Sequence, residues 1–507
     1  MIKVYTEKGY FYVKATYNDR NKLKAIPGYF YVKYKKDTNE KALWRYPATP
    51  ICAYNIDRMF ERNVDGDNTY FEKLKAGFNV FENAKLKEKT DLPNIPEMKF
   101  DAWNHQRQAF HFAKNIDAAM LAMAMGTGKT YVTVAICKNN DIKRILVVCP
   151  KSVMPVWKKE FHKHTNGFKV LVLNQNGTNK KQAAMERFYK SSFPHENLVT
   201  VINYESAWRE PMASYLMSLN LDMCILDESH KIKSPGGKAS NFFEKLSKTV
   251  NKRLCLTGTP MPHSPLDLYG QFRFLDPGIF GTSFVKFRAA YAVLGQFKET
   301  LDFVNLDELN RRFHTITYQA EQDVLDLPEA VDMEMFCELS KETMSAYKVF
   351  EKELFTMIKN EEITASNALV KFLRLQQITC GHVKTDTGEI IQTGTEKASV
   401  LSEILDDLDK KEPVVVFCRF QHDLETIKKT AIDSGRTVSE LSGRLNTLSD
   451  FQNGNTDLIA VQIQAGGVGI DLTRARYCVY YSIGFSMGDY LQSRARIHRP
   501  GQDRTCF

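Results

Sequence analysis

The chain has 507 residues, 43% hydrophobic and 25% charged, with a formal net charge of +9. That length exceeds one hydrophobic core and predicts about two to four domains of an ordinary soluble globular protein. No run of about 18 apolar residues or more appears, and the opening MIKVYTEKGY lacks the apolar core of a secretory signal, which argues against a membrane protein and predicts a cytoplasmic or nuclear one.

Residues 1–95 are basic and rich in tyrosine. Among residues 1–50, nine Lys and two Arg stand against two Asp and two Glu, a balance of +7, whereas the rest of the chain carries only +2. Charge of one sign confined to a short section predicts a polyanionic partner. The alternating runs YFYVKATY and GYFYVKYK predict short antiparallel strands, and EKTDLPNIPEM, with two prolines and no periodicity, reads as a linker.

Residues 96–275 alternate apolar runs of strand length (RILVVCP, LVTVIN, DMCILDE, KRLCLTG) with helical stretches, the pattern of a parallel sheet covered by helices. Within it, AMAMGTGKTY leads from an apolar strand into a helix. Small residues let successive backbone N–H groups turn inward around phosphate, a lysine reaches the outer phosphates and a hydroxyl suits magnesium. Gly126, Thr127, Gly128, Lys129 and Thr130 supply those parts, although Met123 stands where a first glycine is usual. A glycine-softened turn is the other reading of this stretch alone. Downstream, DMCILDESH ends a strand with Asp227 and Glu228, at the edge where parallel sheets hold their ligands. One acid can hold a metal and its neighbour can orient or deprotonate water.

Residues 276–395 break the alternation with segments such as FVKFRAAYAVL and ALVKFLRLQQI, read as a helical insertion and interlobe linker. The strand-helix rhythm resumes over 396–507 with PVVVFCRF, DLIAVQIQ and YCVYYSI. The predicted fold class is therefore α/β, two parallel-sheet lobes with a helical insertion and a small N-terminal α+β or β-rich domain. The ten cysteines show no C-x-x-C spacing and several lie in apolar runs, so reduced core thiols are expected.

Taken in order, LAMAMGTGKT, LVVCPKSVMPVWKKEF, DESH, RLCLTGTPMPHSPLDLYGQFRFLDPGIFG, VQIQAGGVGIDLTRA and YLQSRARIHRPGQ resemble the motifs of the Swi/Snf-type ATPases, DNA translocases of the second helicase superfamily. The resemblance spans roughly residues 100 to 507 and implies two RecA-like lobes that hydrolyse ATP with Mg2+. Matched residue by residue, Lys129 and Thr130 hold phosphates and magnesium, and Asp227 and Glu228 become metal carboxylate and water activator. Gln106 in WNHQRQAF reads the adenine edge, Gly469 and Asp471 join the nucleotide site, and Arg496 and Arg499 serve the triphosphate. Lys151, Ser152 and Arg419 match positions that face nucleic acid.

The segment LKAIPGYFYVKYKKDTNEKALWRYP resembles the HARP-like modules of the annealing-helicase branch, which makes Lys33, Lys35 and Trp44 candidate DNA contacts. The family usually continues past its sixth motif, so the second lobe is expected to lack its C-terminal brace. The expected activity is a monomeric DNA-dependent ATPase that moves on double-stranded or branched DNA, with fork remodelling or strand annealing as its outcome. A strand-separating DNA or RNA helicase and a nucleotide-binding DNA scaffold remain the alternatives.

Overall fold

Alternating apolar residues at the N-terminus form β1 (Ile2–Glu7), β2 (Tyr10–Ala15), β3 (Phe30–Val32), β4 (Ala42–Pro47) and β5 (Val64–Gly66), in the order β3-β4-β2-β1-β5. All neighbours are antiparallel except β1 and β5. The computed structural model describes residues 2–15, 19–32, 42–60, 64–66, 71, 74–75, 91–140, 142–359, 365–385, 388–466 and 470–507. Because side chains alternate along a strand, Val4, Phe11, Val13, Trp44 and Tyr46 fall on one face. That face packs on Leu23 and Ile26 and on Cys52, Ala53 and Ile56 of the helix Pro50–Met59. The Tyr46 hydroxyl donates to the Leu23 carbonyl at 2.7 Å, which satisfies the one polar atom this buried ring carries.

Seven strands build the next sheet, all parallel: β6 (Ala118–Met123), β7 (Arg144–Cys149), β8 (Phe168–Val172), β9 (Asn197–Asn203), β10 (Met223–Asp227), β11 (Lys252–Leu256) and, after the hairpin β12 (Ala292–Leu294) and β13 (Thr300–Phe303), β14 (Thr317–Ala320). Their order is β14-β6-β11-β10-β7-β9-β8. Every residue of β6 and β10 is buried, as expected for strands with helices on both faces. The expectation set 276–395 apart from this lobe, whereas β14 pairs with β6 and the compact unit runs from Met1 to Val324. Four residues, TYQA, are too short and too mixed to show a strand period, and the open edge of β6 recruits them.

The N-terminal module belongs to this same unit and seats on the short helix Pro277–Phe280. Gly278 lies so close that a Cβ there would approach Thr49 Oγ1 to 2.5 Å and Cys52 Sγ to 2.8 Å.

The second unit, Leu325–Phe507, carries the helices Lys341–Lys359 and Ala365–Thr379, the hairpin β15 (His382–Lys384) and β16 (Ile390–Gln392), and a parallel sheet. That sheet contains β17 (Val414–Cys418), β18 (Val438–Leu441), β19 (Leu458–Gln462) and β20 (Tyr477–Tyr480), in the order β18-β19-β17-β20. The α/β class with parallel sheets is therefore as expected. All ten cysteines are free. Among the described residues no helix is long and apolar enough to cross a membrane.

Candidate functional site

The loop after β6 turns at two glycines in the left-handed region, Gly126 (φ 82°) and Gly128 (φ 88°), and opens the helix Lys129–Lys138. A side chain at Gly128 would be strained at this φ, and its Cβ would displace the Gln106 amide. Gln106 is buried and donates through Nε2 to the Thr127 carbonyl at 3.1 Å, while its Oε1 accepts from the Trp103 backbone N–H at 3.0 Å. His105 Nε2 reaches the same Thr127 carbonyl at 2.8 Å. Burial keeps the His105 pKa below its ordinary value, and Nε2 is the donor because a carbonyl oxygen can only accept. Thr127, itself fully buried, returns a bond from Oγ1 to the Ala124 carbonyl at 2.6 Å. The helix that carries Gln106 thus holds the cradle from behind.

Lys129 Nζ donates to the carbonyls of Met123 (2.6 Å) and Ala124 (3.2 Å) at the end of β6. Gly258, from the LTGTP stretch after β11, packs beside it, with its Cβ position 3.7 Å from Lys129 Nζ. A long cation over backbone carbonyls at a helix N-terminus is placed to meet an anion that enters the loop.

Asp227 and Glu228 are both buried at the C-terminal end of β10. Trp157 Nε1 donates to Asp227 Oδ2 at 2.9 Å, and the Tyr204 hydroxyl donates to the Asp227 carbonyl at 2.9 Å. Burial, and next the neighbouring Glu228, push the Asp227 carboxyl well above the usual range; the Trp157 bond and the charge of Lys129 pull the other way. Glu228 has a left-handed backbone (φ 55°, ψ 53°) that ends the strand and starts the tight turn Ser229–Ile232.

From Glu228 a polar chain runs to the neighbouring strand end. Its Oε2 lies 3.5 Å from His230 Nδ1, which is 3.3 Å from Thr257 Oγ1, which in turn accepts from the Thr259 N–H at 3.0 Å. Ser229 donates to Gln271 Oε1 at 2.7 Å, and Gln271 Nε2 donates to the Pro260 carbonyl at 2.7 Å. DESH and LTGTP are thus one hydrogen-bonded assembly. His105, Trp157, His230 and Gln271 were not singled out from the sequence. Only their presence inside the motif stretches WNHQRQAF, PVWKKEF, DESH and DLYGQFRF signalled them.

The donor set fits a hard divalent cation held jointly with a phosphate ligand. Two adjacent buried carboxylates, of which Glu228 raises the proton affinity of Asp227, gain from a cation between them, and their ligand atoms are oxygens. Among the described residues no group of three or more His, Cys, Asp or Glu could hold a metal, so Asp227, Glu228 and the half-buried Thr130 need further oxygens from elsewhere.

In the second unit, Arg496 is buried and its carbonyl accepts from the Leu472 N–H at 3.0 Å, while Arg499 Nη1 donates to the Ile470 carbonyl at 3.2 Å. Gln502 Nε2 adds bonds to the carbonyls of Thr473 and Ala475 at 3.1 and 2.8 Å. Asp471 is exposed, and its carboxylate accepts from the Thr473 N–H (3.0 Å) and hydroxyl (2.7 Å), an Asx turn. IDLTRA and RARIHRPGQ therefore fold into one patch that includes Asp471, Arg496 and Arg499. Gly469 lies outside the described residues.

Lys151 and Ser152 are exposed after β7. Lys151 borders a groove of about 860 Å3 with Lys158, Lys159, His162 and Lys181. In the second unit Arg419 follows β17; its backbone N–H donates to Ser482 Oγ at 2.8 Å and its Nη1 to Gln376 Oε1 at 2.7 Å. Lys33 and Lys35 lie outside the described residues. Trp44, expected as a DNA contact, is only 2% exposed and packs against Tyr29 and Tyr31. It is a packing residue, because the inward face of β4 must supply core bulk and the indole lies on that face.

A model of the SNF2-related domain matches residues 69–384, more than half of the chain, and one of the helicase conserved C-terminal domain matches residues 396–501. The DNA repair and recombination protein RDH54 of Saccharomyces cerevisiae is 24% identical over 455 residues, covering 78% of this chain and 48% of that protein. An uncharacterized ATP-dependent helicase of Mycoplasma pneumoniae is 23% identical over 492 residues, covering 87% and 44%. The chain thus spans about half the length of the curated relatives it matches. Among solved structures, a Sulfolobus solfataricus SWI2/SNF2 ATPase core in complex with dsDNA covers 82% of this chain and 88% of its own at 23% identity, with a TM-score of 0.43.

Proposed function

The chain belongs to the SNF2-related family, with a helicase C-terminal domain behind it, and from that premise we propose that it hydrolyses ATP to move along double-stranded DNA. One observation carries the reading: the glycine-turned loop with Lys129 stands at the same end of one parallel sheet as the buried Asp227 and Glu228, close enough for Lys129 to stabilise the Asp227 carboxylate. Gln106 and His105 brace the loop, and Gln106 presents an amide that suits the donor-acceptor edge of adenine.

In this reading Lys129 and the backbone N–H groups of residues 126–130 hold the β- and γ-phosphates. A magnesium ion held by Asp227, Thr130 and phosphate oxygens would offset the charge that spreads over the transferred phosphoryl group. Glu228 accepts the proton of the attacking water, with His230 beside it to orient the carboxylate. The polar chain from Glu228 through Thr257 gives the sheet a way to register the state of the phosphate. Arg496 and Arg499 offer permanently charged guanidinium groups whose chemistry suits γ-phosphate oxygens.

DNA is held through phosphates by Lys151, Ser152 and Arg419, a sequence-blind mode that suits a motor which must release every base pair it passes. The N-terminal module serves as a DNA-binding section, and the repair and recombination role named for RDH54 suggests fork remodelling or strand annealing as the outcome. The test is phosphate release with blunt duplex DNA, single strands and RNA. Strongest stimulation by duplex supports the motor; ATP affinity without any DNA-stimulated release rejects it.

A further inference from the structure

One edge of the seven-stranded sheet is open: among the described residues β8 has a neighbouring strand only on its β9 side. Successive residues of a parallel strand turn their backbone groups to opposite sides, and the Leu173 N–H donates to the Val201 carbonyl at 2.9 Å. The N–H and C=O of Val170 and the N–H of Val172 therefore face away from β9. The Val172 carbonyl, on that same side, accepts from the Asn174 N–H at 3.1 Å. Edges that stay unpaired are usually blunted by proline, bulges or free charge. The strand FKVLV has no proline, and its single charge, Lys169, is engaged with Glu196 at 2.5 Å.

Beside this edge runs the groove of about 860 Å3. One wall is the helix Met154–His164, where Pro155, Lys158, Lys159 and His162 share a side at i, i+3, i+4 and i+7 spacing and are all exposed. The half-buried Val170, Leu171 and Val172 line the strand wall. At the C-terminal end of the strands stands Lys181, only 6% exposed, whose Nζ donates to Asn203 Oδ1 at 2.7 Å and to Ser206 Oγ at 2.8 Å. Both acceptors are neutral; burial, and next the charge of Lys151, hold the Lys181 pKa below its ordinary value, and Glu205 pulls the other way. Four lysines and no Asp or Glu line the groove.

An extended polypeptide answers each part of this groove. Its backbone N–H and C=O groups can pair with the outward groups of β8, its apolar side chains can meet the valine wall, and its carboxylates can meet the ammonium groups. Nucleic-acid phosphates would satisfy the lysines alone, because they form no ladder with a strand and gain nothing from an apolar wall. The cations and the lack of acids in the lining select a negatively charged segment over a neutral or basic one. Five residues at about 3.3 Å each make β8 about 16 Å long, which matches a segment of about five residues.

We propose that the groove between β8 and the helix Met154–His164 binds an extended acidic peptide as an added strand, a protein-docking role that goes beyond the motor reading. The experiment measures fluorescein-labelled Val-Glu-Val-Asp-Val-Glu against the full chain by anisotropy without nucleotide, and duplex affinity and DNA-stimulated phosphate release separately. The peptide is expected to bind saturably, and neither its fully N-methylated form nor Val-Lys-Val-Lys-Val-Lys is expected to bind. Lys158→Glu together with Lys159→Glu is expected to weaken peptide binding about tenfold or more. Val170→Pro removes an outward N–H while the β8–β9 ladder stays intact, and is expected to weaken peptide binding about tenfold with duplex affinity and phosphate release unchanged. If Val170→Pro does not fold, the N-methylated peptide on the wild-type chain decides. Absence of saturable binding, equal binding of the N-methylated peptide, or wild-type peptide affinity in the folded variants overturns the proposal. An equal loss of peptide and duplex affinity in the lysine variant, with Val170→Pro at wild-type peptide affinity, also overturns it and makes the groove a phosphate-binding surface. Absence of DNA-stimulated phosphate release in the wild type would reject the motor reading by itself and leave the peptide comparison intact.

Discussion

Trp157 Nε1 donates to Asp227 Oδ2 at 2.9 Å, so a helix that follows β7 restrains a carboxylate at the end of β10. Trp157→Phe keeps most of the buried ring and removes the donor. A buried oxygen that loses a hydrogen bond is destabilised by about 1–3 kcal/mol. The variant is expected to unfold at correspondingly lower urea and to turn over ATP more slowly, because Asp227 then favours its protonated form. Unchanged urea midpoint and unchanged turnover would remove Trp157 from the site.

Lys129→Ala and Glu228→Gln separate binding from chemistry. Loss of a general base lowers rate by about 10²–10⁴-fold, so Glu228→Gln is expected to keep ATP affinity while DNA-stimulated phosphate release falls by that factor. Lys129→Ala is expected to lose both. Wild-type turnover in either variant contradicts the assignment.

A Cβ at Gly128 would meet the Gln106 amide. Gly128→Ala adds a left-handed alanine at φ 88°, destabilising by about 1–2 kcal/mol before the clash is counted. Gln106→Ala removes the clash, so the double variant is expected to be more stable than the sum of the single effects predicts. Additive midpoints in thermal unfolding would show that the two residues are independent.

Asp276 gives a pH test outside the nucleotide site. It caps the helix Pro277–Phe280 by accepting from the Gly278 N–H at 2.7 Å, and burial raises its pKa from 3.8 to about 6. A carboxyl whose folded pKa is raised favours folding most fully below pH 3.8, and that contribution is lost as pH rises through 6. The loss by pH 8 is on the order of 2–3 kcal/mol. Asp276→Asn keeps an acceptor for Gly278 and does not ionise, so its stability relative to wild type should improve between pH 4 and pH 8. A constant difference across that interval would show that Asp276 does not titrate on unfolding.

Much of the sheet framework is legible in the sequence. RILVVC, MCILD and VVVFC read as strands because parallel strands are buried on both faces and need unbroken apolar runs. TYQA did not, because an edge strand of four residues is decided by its neighbour rather than by its own composition. Trp44 among lysines reads alike whether it faces DNA or the core, and only the sheet register shows that it faces inward.

The order and residue types of the phosphate loop, the paired acids and the C-terminal arginines were determined by the sequence alone, since such chemistry depends on side-chain identity at short spacing. The bracing of that loop by His105, the restraint of Asp227 by Trp157 and the tie between Ser229 and Gln271 were decided by the tertiary structure. Those partners stand 22, 70 and 42 residues apart, and a hydrogen bond between buried groups so distant exists only where packing brings their elements within 3 Å.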